Sequence, residues 1–196
     1  QRDRTRLFEV AHRLSDGLAD ASTVISQAAG AYYVRRRAIP PAKLRVVYNG
    51  IDAARYAHDP AARARLRSVL GVDDAFVWLA VGRLERQKDY PTLLRAFARL
   101  GDASRSLWIC GEGARRDELM ALADALGVGD RVRFLGLRDD IPALLSAADA
   151  FALSSVLEGL PLVLLQASAA GLPIVTTAVG GNAEVLIPEV SGLVVP

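Results

Sequence analysis

A chain of 196 residues, 52% hydrophobic and 23% charged, is large enough for one packed domain or for one domain and part of another. No apolar run reaches the roughly 18–20 residues that a membrane-spanning helix needs, and the opening QRDRTRLFEV is too charged for a signal peptide. The net charge of +2 conceals an asymmetry: residues 1–50 carry nine Lys/Arg against four acids, which leaves −3 for the remainder.

The absence of an initiator methionine reads as a fragment or a processed chain. The basic run Arg35, Arg36, Arg37 reads first as a solvated helix face, and it leaves peripheral contact with an anionic membrane open. A nucleic-acid partner rests on that run alone and is not expected. The lone Cys110 lies in the apolar run SLWIC and reads as a buried structural thiol. His12 and His58 are far apart and have no metal-ligand spacing around them, so a histidine zinc site or triad is not expected.

The first fifty residues alternate helix and strand: a helix over roughly 4–19, a strand ASTVISQ, a helix AAGAYYVRRRA and a strand KLRVVYNG. NGIDAARYAHDP follows as a crossover linker into a helix over 60–70. FVWLAVG (76–82) is a continuous apolar run, the signature of a parallel strand covered on both faces. Asp89 then offers an N-cap, Pro91 a first-turn proline, and Leu93, Leu94, Phe97 and Leu100 one apolar helical face closed by Gly101. SLWICG (106–111) is the next strand, and Leu119, Leu122, Ala123 and Leu126 define a helix ended by Gly127.

RVRFLG (131–136) is a third strand, and Asp139, Asp140 and Pro142 open the helix after it. ADAFALS (148–154), the helix PLVLLQASAAG (161–171), PIVTTA (173–178) and a last strand GLVVP complete the pattern. Strand–helix alternation with short loops predicts an α/β fold, a mostly parallel sheet with helices on both faces. The expected division is residues 1–50 as the tail of one Rossmann-like domain and the start of a linker. Residues 51–196 would be a second such domain, lacking its final helix.

Open parallel sheets bind ligands beyond the carboxyl ends of their strands. Several polar features fall there. GRLERQKDY places Gly82, Arg83 and Lys88 after one strand, GEG places Gly111 and Gly113 after the next, and SSVLEGLP places Glu158 before a helix. VGGNAE adds a glycine pair after a fourth strand. Cations, glycine turns and helix N-termini on one rim describe an anion site, because amides and helix dipoles attract phosphate. Two charge-assisted contacts from Arg83 and Lys88 would supply roughly 3–6 kcal/mol. An isolated Glu158 would read as a plain cap; on this rim it reads as a ligand-contacting carboxylate.

VGRLERQKDYPTLLRAFARL, LWICGEG, VRFLG, ADAFALSSVLEGLPLVLLQASAAGLPIVTT and VGGNAEVL, in that order, resemble the retaining glycosyltransferases of family 4 (glycosyl transferases group 1). The preceding ASTVISQ…KLRVVYNGID resembles the end of their N-terminal domain. The resemblance implies a GT-B fold: a C-terminal domain that binds a nucleotide-sugar donor, and an N-terminal domain that holds a carbohydrate or lipid-linked acceptor. It places Arg83 and Lys88 on the donor diphosphate and Glu158 on the donor sugar, these three forming the catalytic set. The Gly159 and Leu160 amides would face a phosphate, with Gly136 and Leu137 near the nucleobase. Gln166 stands where the family usually has a ribose-binding glutamate, a departure that would weaken ribose binding by about 1 kcal/mol.

The implied reaction transfers a glycosyl group to an acceptor hydroxyl with retention. It needs no metal, in keeping with the lack of an Asp-x-Asp motif, and it would occur in the cytoplasm, at the inner face of the membrane where the acceptor is lipid-linked. Lacking most of the acceptor domain, the chain is expected to bind donor but to transfer little by itself. Two alternatives stay open: a non-catalytic nucleotide-binding module of the same fold, which Gln166 favours, and a sugar-nucleotide 2-epimerase.

Overall fold

In the computed structural model of the chain, apolar runs bounded by glycine and proline become strands, and the periodic segments between them become helices. Residues 10–11, 15–72, 74–187 and 189–196 are described. The chain divides into two compact units, residues 1–49 and 50–196. The helix expected over roughly 4–19, with His12, falls largely outside the described residues.

In the first unit β1 (Ser22–Val24) pairs in parallel with β2 (Leu44–Val46), and α1 (Gln27–Arg35) connects them. Ser26 starts α1 by accepting a hydrogen bond from the Ala29 amide at 3.1 Å. Gly30 is buried where an added methyl would stand 2.9 Å from Leu44 Cδ2, so its bare Cα lets the helix lie close on β2. The Arg36 guanidinium lies 5.0 Å above the Tyr32 ring, so the basic run is partly engaged within its own unit.

The second unit is a six-stranded sheet of β3 (Phe76–Val81), β4 (Arg105–Cys110), β5 (Val132–Gly136), β6 (Ala150–Leu153), β7 (Ile174–Thr177) and β8 (Gly192–Val195). Every pairing is parallel, and the spatial order is β5-β4-β3-β6-β7-β8. The crossovers carry α2 (Pro60–Val69) before β3, then α3 (Tyr90–Arg99), α4 (Arg116–Ala125), α5 (Ile141–Ala147), α6 (Leu162–Ala169) and the short α7 (Asn182–Val185). Val77, Leu79, Trp108, Phe151 and Ile174 pack on one face with Leu144, Leu145 and Leu164. Ala80, Leu107 and Ile109 pack on the other with Leu94, Phe97 and Leu119. This is the expected α/β architecture, with strand order reversing between β3 and β6.

Three local readings need correction. Leu100 is 40% exposed, because α3 stops at Arg99 and Gly101 at φ 67° turns the chain away. Asp89 occupies the N-cap position of α3 but does not cap through its side chain; it sits in the left-handed region at φ 45°, ψ 46°. Asp140 precedes α5, yet its carboxylate is held by the Arg138 guanidinium at 2.7 and 2.5 Å instead of by helix amides.

At the amino end of the β3–β6 pair, a polar knot replaces apolar packing. The Asp149 carboxylate accepts from the Val77 amide at 2.8 Å, Arg63 Nη2 at 2.6 Å and Arg67 Nη1 at 3.1 Å. Arg63 also donates to the Ala147 and Ala148 carbonyls at 3.0 and 2.9 Å, and Arg67 to Ala147 at 2.9 Å and to the Ala75 carbonyl. The guanidiniums therefore satisfy carbonyls at the C-terminus of α5 that no further turn can reach.

Candidate active site

The strand order reverses at β3 and β6, and open parallel sheets bind ligands beyond the carboxyl ends of the strands at such a reversal. The loop after β3 runs through Gly82, Arg83 and Lys88 into α3. The loop after β6 runs through Ser154, Ser155 and Glu158 into α6. The two are laced together: Ser154 Oγ donates to the Lys88 and Asp89 carbonyls at 2.9 and 3.0 Å, and the Val156 amide donates to the Gln87 carbonyl at 2.9 Å. Gln87 Nε2 returns a bond to the Leu157 carbonyl at 2.8 Å.

At the centre of this lacing Lys88 Nζ meets Glu158 Oε1 at 2.5 Å, with side chains only 16% and 8% exposed. Ser155 Oγ, fully buried, donates to the same oxygen at 2.7 Å. Both bonds fall on Oε1. A nearly buried ion pair gains little net stability, since desolvating two charges offsets their attraction. The pair lies beyond the carboxyl ends of β3 and β6, at the strand-order reversal.

Several glycines of the rim are packed against neighbouring backbone. At three of them, Gly111, Gly113 and Gly180, backbone fills the space a side chain would take. A methyl on Gly111 would lie 2.1 Å from the Gly82 carbonyl oxygen, and one on Gly180 would lie 1.8 Å from the Glu158 carbonyl oxygen. No side chain fits at either contact. The Gly181 amide donates to the Gly159 carbonyl at 2.8 Å, and Thr177 Oγ1 to the Ser155 carbonyl at 2.6 Å, so the β7 loop props the Glu158 loop from beneath. Gly113 packs in the same way against the Leu84 backbone, at 2.5 Å from its carbonyl oxygen to the added carbon.

The remaining rim residues lie further out. Arg83 is 73% exposed and pairs with Glu85 at 3.2 Å, so it does not join the Lys88–Glu158 contact. Gly136 ends β5, and its carbonyl accepts from the Gly111 amide at 2.8 Å; Leu137 beyond it is 79% exposed. Gly159 and the buried Leu160 precede α6, whose N-cap position is Pro161. Gln166, within α6, donates from Nε2 to the Tyr56 hydroxyl at 3.0 Å, which ties it to the turn Ala53–Tyr56 before α2.

Three residues that sequence reasoning passed over belong to this cluster: Ser154, Ser155 and Tyr90. Ser155 stands three residues before Glu158, a spacing that signals a local side-chain bond. Burial, helped by the nearby Cys110 and Glu158, pushes the Tyr90 hydroxyl well above its ordinary range, so it stays a neutral donor. Cys110 is buried as expected, its thiol pushed up chiefly by desolvation, and Sγ donates to the Gly136 carbonyl at 3.6 Å. Among the described residues no group of His, Cys, Asp and Glu is placed to hold a metal ion, and no helix is long and apolar enough to cross a membrane.

Comparison with known proteins agrees with this fold. The sequence profile of the glycosyl transferases group 1 family matches residues 63–196. The chain belongs to that family. It is 38% identical over 173 residues to the D-inositol 3-phosphate glycosyltransferase of Salinispora tropica, covering 79% of this chain and 36% of that protein. It is 34% identical over 201 residues to the GDP-mannose-dependent alpha-(1-6)-phosphatidylinositol monomannoside mannosyltransferase of Mycobacterium tuberculosis, covering 95% and 51%. Among solved structures, Anabaena HepE in complex with UDP and glucose superposes with a TM-score of 0.90 at 30% identity, covering 96% of this chain and 53% of that one. The chain thus spans roughly a third to a half of the length of these proteins.

Proposed function

We propose that the chain is the nucleotide-sugar-binding half of a glycosyltransferase that moves a sugar from a nucleoside diphosphate to an acceptor hydroxyl with retention. Residues 51–196 form the donor-binding domain in this reading, and residues 1–50 the end of the acceptor domain with the start of the linker. The observation that carries it is the Lys88–Glu158 contact at the strand-order reversal, 2.5 Å long and nearly buried. Family membership supports the reaction class, and the neighbour solved with UDP supports a nucleoside diphosphate donor.

Lys88 turns from Glu158 toward the diphosphate and, with Arg83 swinging in from solvent, meets the negative charge that grows as the glycosidic bond breaks. Glu158 keeps its Ser155 bond on Oε1, and Oε2 accepts from the sugar hydroxyls. Its charge also faces the anomeric carbon as that carbon becomes electron-poor. The amides of Gly159 and Leu160 approach a phosphate, the Gly136–Leu137 turn borders the nucleobase, and the Gln166 carbonyl accepts from ribose. Protein cations meet the leaving-group charge without a metal. The acceptor is a carbohydrate or a lipid-linked one, and Arg35–Arg37 support peripheral contact at the cytoplasmic face of a membrane.

A thermal-shift screen of the chain with UDP-, GDP- and ADP-sugars tests this reading. One class should raise the unfolding midpoint by several degrees, since a ligand at 100 times its Kd stabilises by about 2.7 kcal/mol. Sugar transfer by the chain alone should stay near background. No shift with any of the three would remove the donor assignment.

A further inference from the structure

Tyr90 opens α3 and is 3% exposed, with its ring in the apolar layer beside Leu94 and Phe97. A phenylalanine would fill that space equally well. What the hydroxyl adds is one bond: it donates to the Gly82 carbonyl oxygen at 2.9 Å. Gly82 is where β3 gives way to the cation-bearing loop, and its amide is already tied to the Cys110 carbonyl at 2.9 Å. Both sides of this residue are therefore held, and the second tie is the Tyr90 hydroxyl.

The same spot seats Lys88. A methyl added to Gly82 would stand 2.9 Å from Lys88 Cε and 3.3 Å from the Tyr90 oxygen, so glycine Cα, lysine stem and tyrosine hydroxyl meet at one point. Lys88 and Tyr90, with one residue between them, converge there, and that residue, Asp89, takes the left-handed conformation at φ 45°. Such a conformation in a residue with a side chain is uncommon and is kept where surrounding contacts require it.

From this convergence we infer that Tyr90 is a positioning residue of the donor site: its hydroxyl, through the Gly82 carbonyl, fixes the Gly82–Arg83 peptide and the Lys88 stem in the geometry that receives a diphosphate. This rests on the donor-binding reading above. Tyr90 touches no ligand itself. It acts on the part of the ligand that Lys88 and Arg83 meet, so its loss should be felt by the diphosphate and not by the nucleoside.

Calorimetry on the whole chain tests it. The probes are UDP, GDP and ADP, and the monophosphate of whichever binds best. Tyr90→Phe should weaken the diphosphate about 5- to 10-fold, the scale of one hydrogen bond. The monophosphate should change less than about twofold and the unfolding midpoint should move little. Gly82→Ala presses on the same point from the other side and should give the same selective loss. Equal losses for both nucleotides, or none in either variant, would reduce Tyr90 to a core residue and overturn the inference. Failure of the wild-type chain to bind any of the three diphosphates would remove the donor reading and this inference with it.

Discussion

The two ends of β6 carry acids with opposite fates. Asp149, just before the strand, is surrounded by donors from its own fold: one amide and two guanidiniums that also close the end of α5. Glu158, five residues after the strand, has one lysine and one hydroxyl, both on the same oxygen. Charge at the amino end is consumed by structure; at the carboxyl end both bonds fall on one carboxylate oxygen. The difference follows from topology. α2, which precedes β3, brings Arg63 and Arg67 to the amino ends of β3 and β6, whereas the loops at their carboxyl ends bring only Lys88 and Ser155 to Glu158.

Removing the cations separates the two ends most sharply. If the donor-site reading holds, Lys88→Ala in the full-length enzyme should lower turnover at least about 100-fold, the scale of losing one transition-state donor, a loss that exceeds any fall in stability from leaving Glu158 unpaired. Arg83→Ala should follow the same direction, since Arg83 reaches solvent and is available to swing inward. Wild-type turnover in both would leave the carboxyl end without a catalytic role. Asp149→Ala should do the reverse, costing about 2–3 kcal/mol in denaturant unfolding because the buried Arg67 loses its acid.

Acidity sharpens the contrast further. Burial alone would raise the Asp149 carboxyl, but the Val77 amide and the two guanidiniums outweigh it and hold it below the usual range. Its contribution to stability is therefore complete above about pH 4 and is lost as pH falls through the lowered folded value. Unfolding free energy followed from pH 6 to pH 2 should fall less steeply in Asp149→Asn than in the parent. The smallest effect belongs to α6: Gln166→Glu should tighten donor binding by about 1 kcal/mol, roughly fivefold, if a charged acceptor suits ribose better. Unchanged affinity would leave Gln166 as a partner of Tyr56 alone.

Much of the fold was legible because parallel strands announce themselves. FVWLAV and SLWIC are apolar without alternation, and each is followed by glycine where the chain turns out of the sheet. The rim was legible for the same reason: Arg83, Lys88 and Glu158 each follow such a run. Their partners were not. Lys88 and Glu158 are 70 residues apart, and Arg63 and Asp149 are 86 apart, so nothing local in the sequence pairs them. Asp89 misled because an acid before Tyr-Pro resembles a cap, whereas its backbone conformation is what the loop uses. Tyr90 was hidden in an apolar stripe, where its ring explained its presence and its hydroxyl drew no notice. The close backbone packing at Gly111, Gly113 and Gly180 was not legible either, since their neighbours come from other loops.

The most direct test compares a nucleoside diphosphate with its sugar conjugate by calorimetry on the wild-type chain, Lys88→Ala and Glu158→Gln. If the paired charges divide the ligand between them, Lys88→Ala weakens both ligands at least about tenfold, and Glu158→Gln weakens only the sugar conjugate. Matching affinities across all three proteins would contradict that division and leave the contact a structural ion pair.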